Sequence, residues 1–207
     1  MKRILFTCLL PATLFFSHSS SAQCIERGTS ILELSARLGD YNDATHFHLT
    51  SSSASATLKS AIYALSYEIT PFKWLGVGLQ LRYDQYIDSA TLKQNAYSLN
   101  VPIFFNIHII HTTHINLYAG MAYGFTSLSY NSNDISQTKY SGIGSLYDIH
   151  AGLRFFLSDH FGISIPVSYT NFSYPNLDLS NPHVSISNWA DKTVSGLNIG
   201  LGLNYKF

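Results

Sequence analysis

Eight stretches of this chain alternate apolar and polar residues with a period of two, which is the pattern of a β-strand with two different faces. Each stretch holds 9–12 residues, close to the roughly 9–11 that a tilted strand needs to cross a bilayer. Every charged residue inside these stretches falls on the polar side of the alternation. The predicted strands cover residues 31–39, 60–70, 75–86, 96–106, 115–126, 147–157, 161–170 and 197–207.

The two faces of this alternation differ in a way that orients the predicted sheet. A Lys or Arg on the lipid-facing side of a membrane strand costs roughly 2–4 kcal/mol at mid-bilayer, and the apolar face has none. The polar face is rich in small residues such as Gly76, Gly120 and Gly200, whereas a water-exposed surface carries charges at roughly a quarter to a third of its positions. The sequence therefore predicts an all-β fold, an eight-stranded antiparallel up-and-down transmembrane β-barrel. A soluble periplasmic barrel that binds a hydrophobic ligand is the alternative, with the apolar face turned inward.

The composition excludes several classes of protein. Charged residues make up 12% of the chain, about half of the roughly 25% that is typical of soluble proteins. Aromatic residues reach 14%, and this combination argues against intrinsic disorder. The formal net charge is zero, which excludes a basic nucleic-acid-binding protein.

The first residues have the pattern of a secretory signal peptide, residues 1–22. Lys2 and Arg3 form its positive start, and the apolar segment 4–16 follows. That segment is shorter than the roughly 20 residues of a transmembrane helix, and small residues at its end suit signal peptidase. We therefore predict an exported chain whose barrel domain covers residues 23–207.

Only one cysteine remains after the predicted cleavage. Cys8 lies in the signal segment, so Cys24 is alone and an internal disulfide is excluded. A cysteine beside a cleavage site raises the question of a lipid anchor, but Gln23 stands where a lipoprotein signal has a small residue. We expect an unmodified cysteine near the mature N-terminus.

The connections between the predicted strands alternate between short and long. Short periplasmic turns and long external loops are typical of outer-membrane barrels. The long connections contain aromatic residues among Ser and Asn, a mixture that favours adaptable contact surfaces and so a possible extracellular ligand. These connections cover about 40–58, 87–95, 127–146 and 171–194, and the residues are Tyr41, His46, Phe47, Tyr130, Tyr140, Phe172, Tyr174 and Trp189.

Aromatic residues also gather at the two ends of the apolar face. Such residues form girdles at both interfaces of a membrane barrel. The predicted outer girdle is Tyr63, Tyr83, Tyr97, Tyr123, Phe125, Tyr147 and Tyr169; the predicted periplasmic girdle is Phe105, Phe155, Phe161, Tyr205 and Phe207.

The C-terminal strand carries a resemblance to a known family. Gly202, Tyr205 and the final Phe207 resemble the C-terminal β-signal of outer-membrane proteins. With eight strands, the chain resembles the small barrels of the OmpX, OmpA transmembrane-domain and opacity-protein group. The resemblance implies a location in the cell outer membrane among its lipid and lipopolysaccharide, and recognition of the last strand by the barrel assembly machinery. It also implies a structural or surface-interaction role, in membrane integrity or adhesion, without a cofactor.

The charged residues on the polar face are expected to lie inside the barrel. An eight-stranded barrel is filled by its own side chains, and buried charges are costly unless they are paired. We predict a salt-bridge network in a closed lumen, with a narrow ion path as the functional alternative. Its members are Glu33, Arg37, Glu68, Arg82, Asp84, Asp148 and Arg154.

One pair of residues has the spacing of a known catalytic pair. His183 and Ser185 have the spacing of the His and Ser of a lipid A deacylase barrel, so a surface lipid-modifying enzyme is the alternative function. Their position in a long connection and the missing Ser-Asn-Ala context argue against it, and we predict no enzyme.

Several histidines are close enough in sequence to consider a metal site. Their spacing allows imidazole ligation, but structural metal sites usually need four fixed ligands. We therefore predict solvated histidines and no metal. The residues are His46 and His48 in the first long connection, and His108, His111 and His114 around a periplasmic turn.

Overall fold

A computed structural model describes residues 24–48, 51–88, 94–132, 139–181 and 184–207. Its eight strands are β1 (Ser30–Phe47), β2 (Ser52–Phe72), β3 (Leu75–Asp88), β4 (Gln94–His111), β5 (Ile115–Ser132), β6 (Lys139–Phe156), β7 (Phe161–Asn181) and β8 (Val184–Lys206). Neighbouring strands pair antiparallel, and β8 pairs with β1 to close the barrel. The predicted eight-stranded up-and-down barrel is confirmed. Among the residues described, no helix is long and apolar enough to cross a membrane. The predicted signal segment, 1–22, lies outside them and stays a prediction.

The apolar face of the alternation points outward. In β1, Leu34 and Leu38 expose 58% and 71% of their surface, whereas Glu33 and Arg37 expose 2% and 7%. The same alternation continues around the barrel. A continuous apolar outer surface of this extent requires a lipid environment. The alternative of a soluble barrel with its apolar residues inside is therefore wrong.

The strands are longer than the alternation predicts. β1 and β2 continue to Phe47 and from Ser52, and β7 and β8 continue to Asn181 and from Val184. Most residues of the predicted long connections therefore lie in strands. The period-two signal fades there because the outward side chains face water and become Ser, Thr and Asn, while backbone pairing continues. We call these strand extensions the collar, residues 40–47, 52–60, 85–88, 94–96, 127–132, 139–146, 171–181 and 184–196.

The outward face marks the membrane boundary. In β1 the outward side chains change from Leu38 to Asp40, and in β5 they change from Phe125 to Ser127. Predicted girdle residues at this level, such as Tyr123, which is 63% exposed, face outward. At the end near the chain termini, the outward aromatic residues include Phe72 and Trp74, whose rings stack 5.8 Å apart, together with Phe105, Phe161 and Phe207.

The residues before β1 cover the end of the lumen that lies near the chain termini. The backbone N–H of Cys24 donates to Thr112 O at 2.9 Å, and that of Gly28 donates to Thr70 O at 2.7 Å. Cys24 and Ile25 are fully buried against Ile31 and Phe156. Burial raises the pKa of the Cys24 thiol to about 11.

Candidate functional site

The lumen holds a charge network whose first half is centred on Arg82. Arg82 and Asp84 share the inward face of β3 because alternate residues of a strand point the same way. The guanidinium donates from Nη2 to Asp84 Oδ1 at 2.7 Å and to the Tyr41 hydroxyl at 2.8 Å. It also donates from Nη1 to Thr170 Oγ1 at 3.0 Å and to Asp148 Oδ2 at 3.4 Å. Four strands are thereby tied across the barrel axis.

The second half of the network is centred on Arg154, nearer the chain termini. Arg154 donates from Nη2 to Glu68 Oε2 at 2.8 Å and from Nε to Glu33 Oε2 at 3.2 Å. His108 Nε2 lies 2.9 Å from the other oxygen of Glu68. The Arg154 guanidinium also lies over the Tyr118 ring, 4.2 Å from its centroid. The planar guanidinium suits this position because it pairs and stacks at once.

His150 connects the two halves. Its Nδ1 lies 2.8 Å from Asp148 Oδ1, and its Nε2 lies 2.7 Å from Asn106 Oδ1. Asn106 in turn donates from Nδ2 to Glu68 Oε2 at 3.0 Å. A continuous chain of polar contacts therefore runs along the barrel axis.

The seven predicted lumen charges all face inward. Six of them form the ion pairs just described, and Arg37 Nε donates to Ser35 Oγ at 3.3 Å. Four carboxylates pair with two guanidiniums, and the two imidazoles stand beside carboxylates. A cavity of about 30 Å³ lies between these groups, room for one or two waters.

The sequence interpretation misses the histidines and the asparagine of this network. It predicts a solvated turn residue at His108, but His108 is 2% exposed and inward-facing, so this prediction is wrong. β4 runs to His111 rather than ending at residue 106. His108 therefore lies two residues after Asn106 in the same strand and faces inward as Asn106 does. The parity of His150 in β6 already places it on the polar face.

Aromatic and aliphatic side chains fill the lumen above the network. We call this layer the plug: Tyr41, Ile62, Tyr86, Ala96, Leu128, Leu146, Phe172, Tyr174, Leu177 and Val194. The rings of Phe172 and Tyr174 stack 6.2 Å apart, and Tyr41 contacts Phe172 at 6.0 Å. The Tyr174 hydroxyl lies 2.8 Å from Thr126 Oγ1, so the polar ends of the plug have partners.

The plug corrects one expectation. The sequence places Tyr41, Phe172 and Tyr174 in external loops as contact residues. They are buried inside the barrel, because β1 and β7 continue past the predicted ends and keep their inward parity.

A pocket lies above the plug, inside the collar. It has a volume of about 230 Å³, and Tyr86, Leu128 and Val194 of the plug form part of its lining. Its wall also contains the ion pair of Asp43 and Lys192, whose side chains are only 13% and 17% exposed. We call it the mouth pocket.

The other candidate histidines lie on the outside of the collar or at the turn. His48 Nε2 lies 3.0 Å from Asp191 Oδ2, and His46 Nδ1 lies 3.1 Å from Ser53 Oγ. Within the described part of the chain, no three metal-ligating side chains converge. His111 and His114 stay near the β4–β5 turn while His108 points into the lumen.

Comparison with known proteins decides the family. The sequence model of the outer membrane protein beta-barrel domain matches residues 9–207. This chain belongs to that family. Its barrel therefore lies in the cell outer membrane, with outer-membrane lipid and lipopolysaccharide around it. A comparison with curated proteins found no similar sequence.

Solved structures of outer-membrane barrels have the same fold. OprG from Pseudomonas aeruginosa is 15% identical, with a TM-score of 0.64 over 88% of this chain and 97% of OprG. AlkL, determined by solid-state NMR in DMPC bilayers, is 11% identical, with a TM-score of 0.53 over 92% of this chain and 95% of AlkL. At these identities the likeness extends to the barrel fold and no further.

The terminal residues of this outer-membrane barrel form an aromatic cluster at the membrane edge. The Tyr205 ring contacts Phe207 at 4.7 Å and Phe161 at 5.0 Å between centroids. Phe207 N donates to Ser30 O at 2.9 Å, which holds the last residue against β1. Gly202 lies opposite Ser35 of β1.

The lipid-modifying alternative is untested, because His183 and the side chain of Ser185 lie outside the described residues.

Proposed function

We propose that this protein is a closed outer-membrane barrel that acts as a structural and surface-contact element rather than as an ion channel. The observation that carries the proposal is the filled lumen, with the plug above and the paired charges below. The cavity among the charges has a volume of about 30 Å³, which holds one or two waters and is smaller than a hydrated ion needs.

The collar supports the surface-contact part of the proposal. Its outward residues, such as Asn42, Thr57 and Ser195, are small and polar, and pairing within the sheet holds them in place. Such a surface loses little conformational entropy when it binds a partner. We propose that the collar contacts external molecules in adhesion or adds stiffness to the membrane surface.

The C-terminal strand supports a proposal about assembly. Tyr205 and Phe207 face outward at the end of β8, beside the seam with β1 that closes the barrel. Before that seam closes, the edge of β8 has unpaired backbone groups. We propose that the barrel assembly machinery recognises the strand in that state through Gly202, Tyr205 and Phe207.

Conductance in planar lipid bilayers tests the closed lumen. The purified wild-type barrel is expected to give no single-channel steps under conditions in which a reconstituted porin gives them. A variant with Phe172→Ala and Tyr174→Ala opens the plug and serves as a comparison. Uniform wild-type steps whose size changes in that variant would assign an ion path to this lumen and overturn the proposal.

Cells lacking the protein test the surface role. Complementation with the wild-type chain is expected to restore resistance to SDS and EDTA, or attachment to coated surfaces. Substituting Asn42, Thr57 and Ser195 with Glu changes only the outward collar. Unchanged attachment and resistance in all strains would contradict a structural or adhesive role.

A further inference from the structure

We propose that the mouth pocket is a binding site for a small apolar molecule that carries one hydrogen-bond-accepting group, such as an aromatic alcohol. The inference goes beyond the proposed function, since neither a closed lumen nor a contact surface requires a ligand inside the collar.

The size of the pocket fits such a molecule. Its volume is about 230 Å³, and a cavity of roughly 150 Å³ is enough to hold a benzene ring. One or two fused rings, or a short alkyl chain, would fill it. A folded peptide segment would not fit.

The lining is mostly apolar and its floor is firmly packed. Leu58, Leu128 and Val194 line the pocket, and the ring of Tyr86 forms part of its floor. Tyr86 is held edge-on against Tyr41 and Phe172, with ring centroids 6.1 and 6.4 Å apart. A preformed apolar cavity needs little rearrangement to accept a ligand.

The ion pair in the wall supplies the polar contact. Asp43 accepts from Lys192 through Oδ2 and from Thr45 Oγ1 at 3.3 Å through Oδ1. The Lys192 ammonium has three N–H donors, and Asp43 accepts one of them. A ligand oxygen placed beside Lys192 therefore gains a charge-assisted hydrogen bond without displacing Asp43.

The pocket is reached from outside the cell and is closed below. Ala54 and Ala56 face inward by parity and line the pocket, yet they are exposed to solvent. Tyr86 and the rest of the plug separate the pocket from the charge network. The ligand therefore enters and leaves by the mouth.

A matched pair of variants tests the site with 2-naphthol as the probe. Ala56→Phe puts a ring into the pocket, whereas Ser55→Phe puts the same ring on the outer side of the same strand. In lipid nanodiscs, 2-naphthol is expected to shift the methyl NMR signals of Leu128 and Val194. The outward Leu79 and Leu203 report partition of the probe into lipid.

We expect Ala56→Phe to weaken the saturable response at Leu128 at least tenfold and Ser55→Phe to leave it unchanged. Ala96→Leu fills the pocket from another strand and repeats the test if Ala56→Phe fails to fold. Lys192→Met is expected to reduce the preference for 2-naphthol over naphthalene to less than a third. A response at Leu128 that is absent, or that follows Leu79 without saturation, would overturn the proposal, as would unchanged binding in folded Ala56→Phe.

Discussion

His150 Nδ1 lies 2.8 Å from Asp148 Oδ1, and this contact joins the two guanidinium-centred halves of the lumen network. The other ring nitrogen reaches Asn106 of β4, across Gly120 of the intervening strand β5. Both of the ring's neighbours here are oxygen atoms, so each ring nitrogen of His150 has one polar partner.

Replacing His150 with Leu is expected to destabilise the barrel by about 1–3 kcal/mol, because Asp148 Oδ1 and Asn106 Oδ1 each lose a buried partner. Urea-induced unfolding in lipid vesicles, followed by tryptophan fluorescence, measures the change. His114→Leu at the exposed β4–β5 turn is the control and is expected to have little effect. Equal stability of the two variants would mean that the bridge contributes nothing.

Replacing Arg154 with Met is expected to cost about 3–5 kcal/mol, since removing one partner of a buried ion pair leaves the other charge uncompensated. Glu33 and Glu68 would both lose their guanidinium contact. Adding Glu68→Gln removes one of those charges and is expected to restore part of the loss. The same unfolding experiment checks both variants, with the exposed Arg27→Met as control. If the double variant is as unstable as the single one, charge pairing is not the cause.

The fold could be predicted from the sequence because the alternation of apolar and charged residues decides which side of each strand can face lipid. Residues such as Leu34 and Glu33 cannot exchange faces without placing a charge in lipid. The same constraint predicts that the seven charged residues face the lumen, since a charge on a membrane strand has only the inner face available. The ends of the strands could not be predicted in the same way. Outside the membrane both faces of a strand tolerate polar residues, so the alternation no longer marks where the strand ends.

The plug and the mouth pocket could not be predicted for the same reason. Phe172 and Tyr174 lie beyond the predicted end of the seventh strand, so the alternation assigns them to neither face. The one signal in the sequence is Ile62, which breaks the alternation of the second predicted strand. An apolar residue on the inner face, fully buried here, indicates that part of the lumen is apolar.

Cys24 is expected to resist alkylation in the folded barrel. Only the thiolate reacts, and burial raises the pKa of this thiol from its usual 9 to about 11. Iodoacetamide at pH 8 should therefore modify Cys24 slowly in the folded protein and readily in urea, as measured by mass spectrometry. Rapid modification of the folded protein would mean that the segment before β1 leaves the lumen end.

The same thiol predicts a pH dependence of stability. The folded state holds the thiol proton more tightly than the unfolded state, so its contribution is full below about pH 9 and is lost as the pH rises toward 11. The free energy of unfolding of wild type minus that of Cys24→Ser should fall over that window. Tyrosine and lysine titration affects both proteins alike and cancels in the difference. A difference that is constant from pH 8 to 11 would contradict the buried thiol.

Gly152 is expected to be intolerant of larger side chains, because the ring of its cross-strand neighbour Tyr118 occupies the space that a side chain would need. A Cβ at residue 152 would clash with the Tyr118 hydroxyl oxygen and with the ring carbon that bears it. The Arg154 guanidinium lies over the same ring, 4.2 Å from its centroid. Gly152→Val should therefore displace the ring and disturb the ion pairs of Arg154, and overpacking of this kind costs about 1–3 kcal/mol.

The adjacent outward position supplies the control for Gly152→Val. Ala151→Val adds the same branched side chain on the lipid-facing side of the same strand, and it should leave stability nearly unchanged. A second change, Tyr118→Leu, shortens the side chain that the introduced valine meets and removes the stacking on Arg154. If the clash is the cause, Tyr118→Leu should destabilise the wild type more than it destabilises Gly152→Val, measured by urea unfolding in vesicles. Additive costs would show that Tyr118 is not what excludes a side chain at residue 152, because residues in contact are expected to couple.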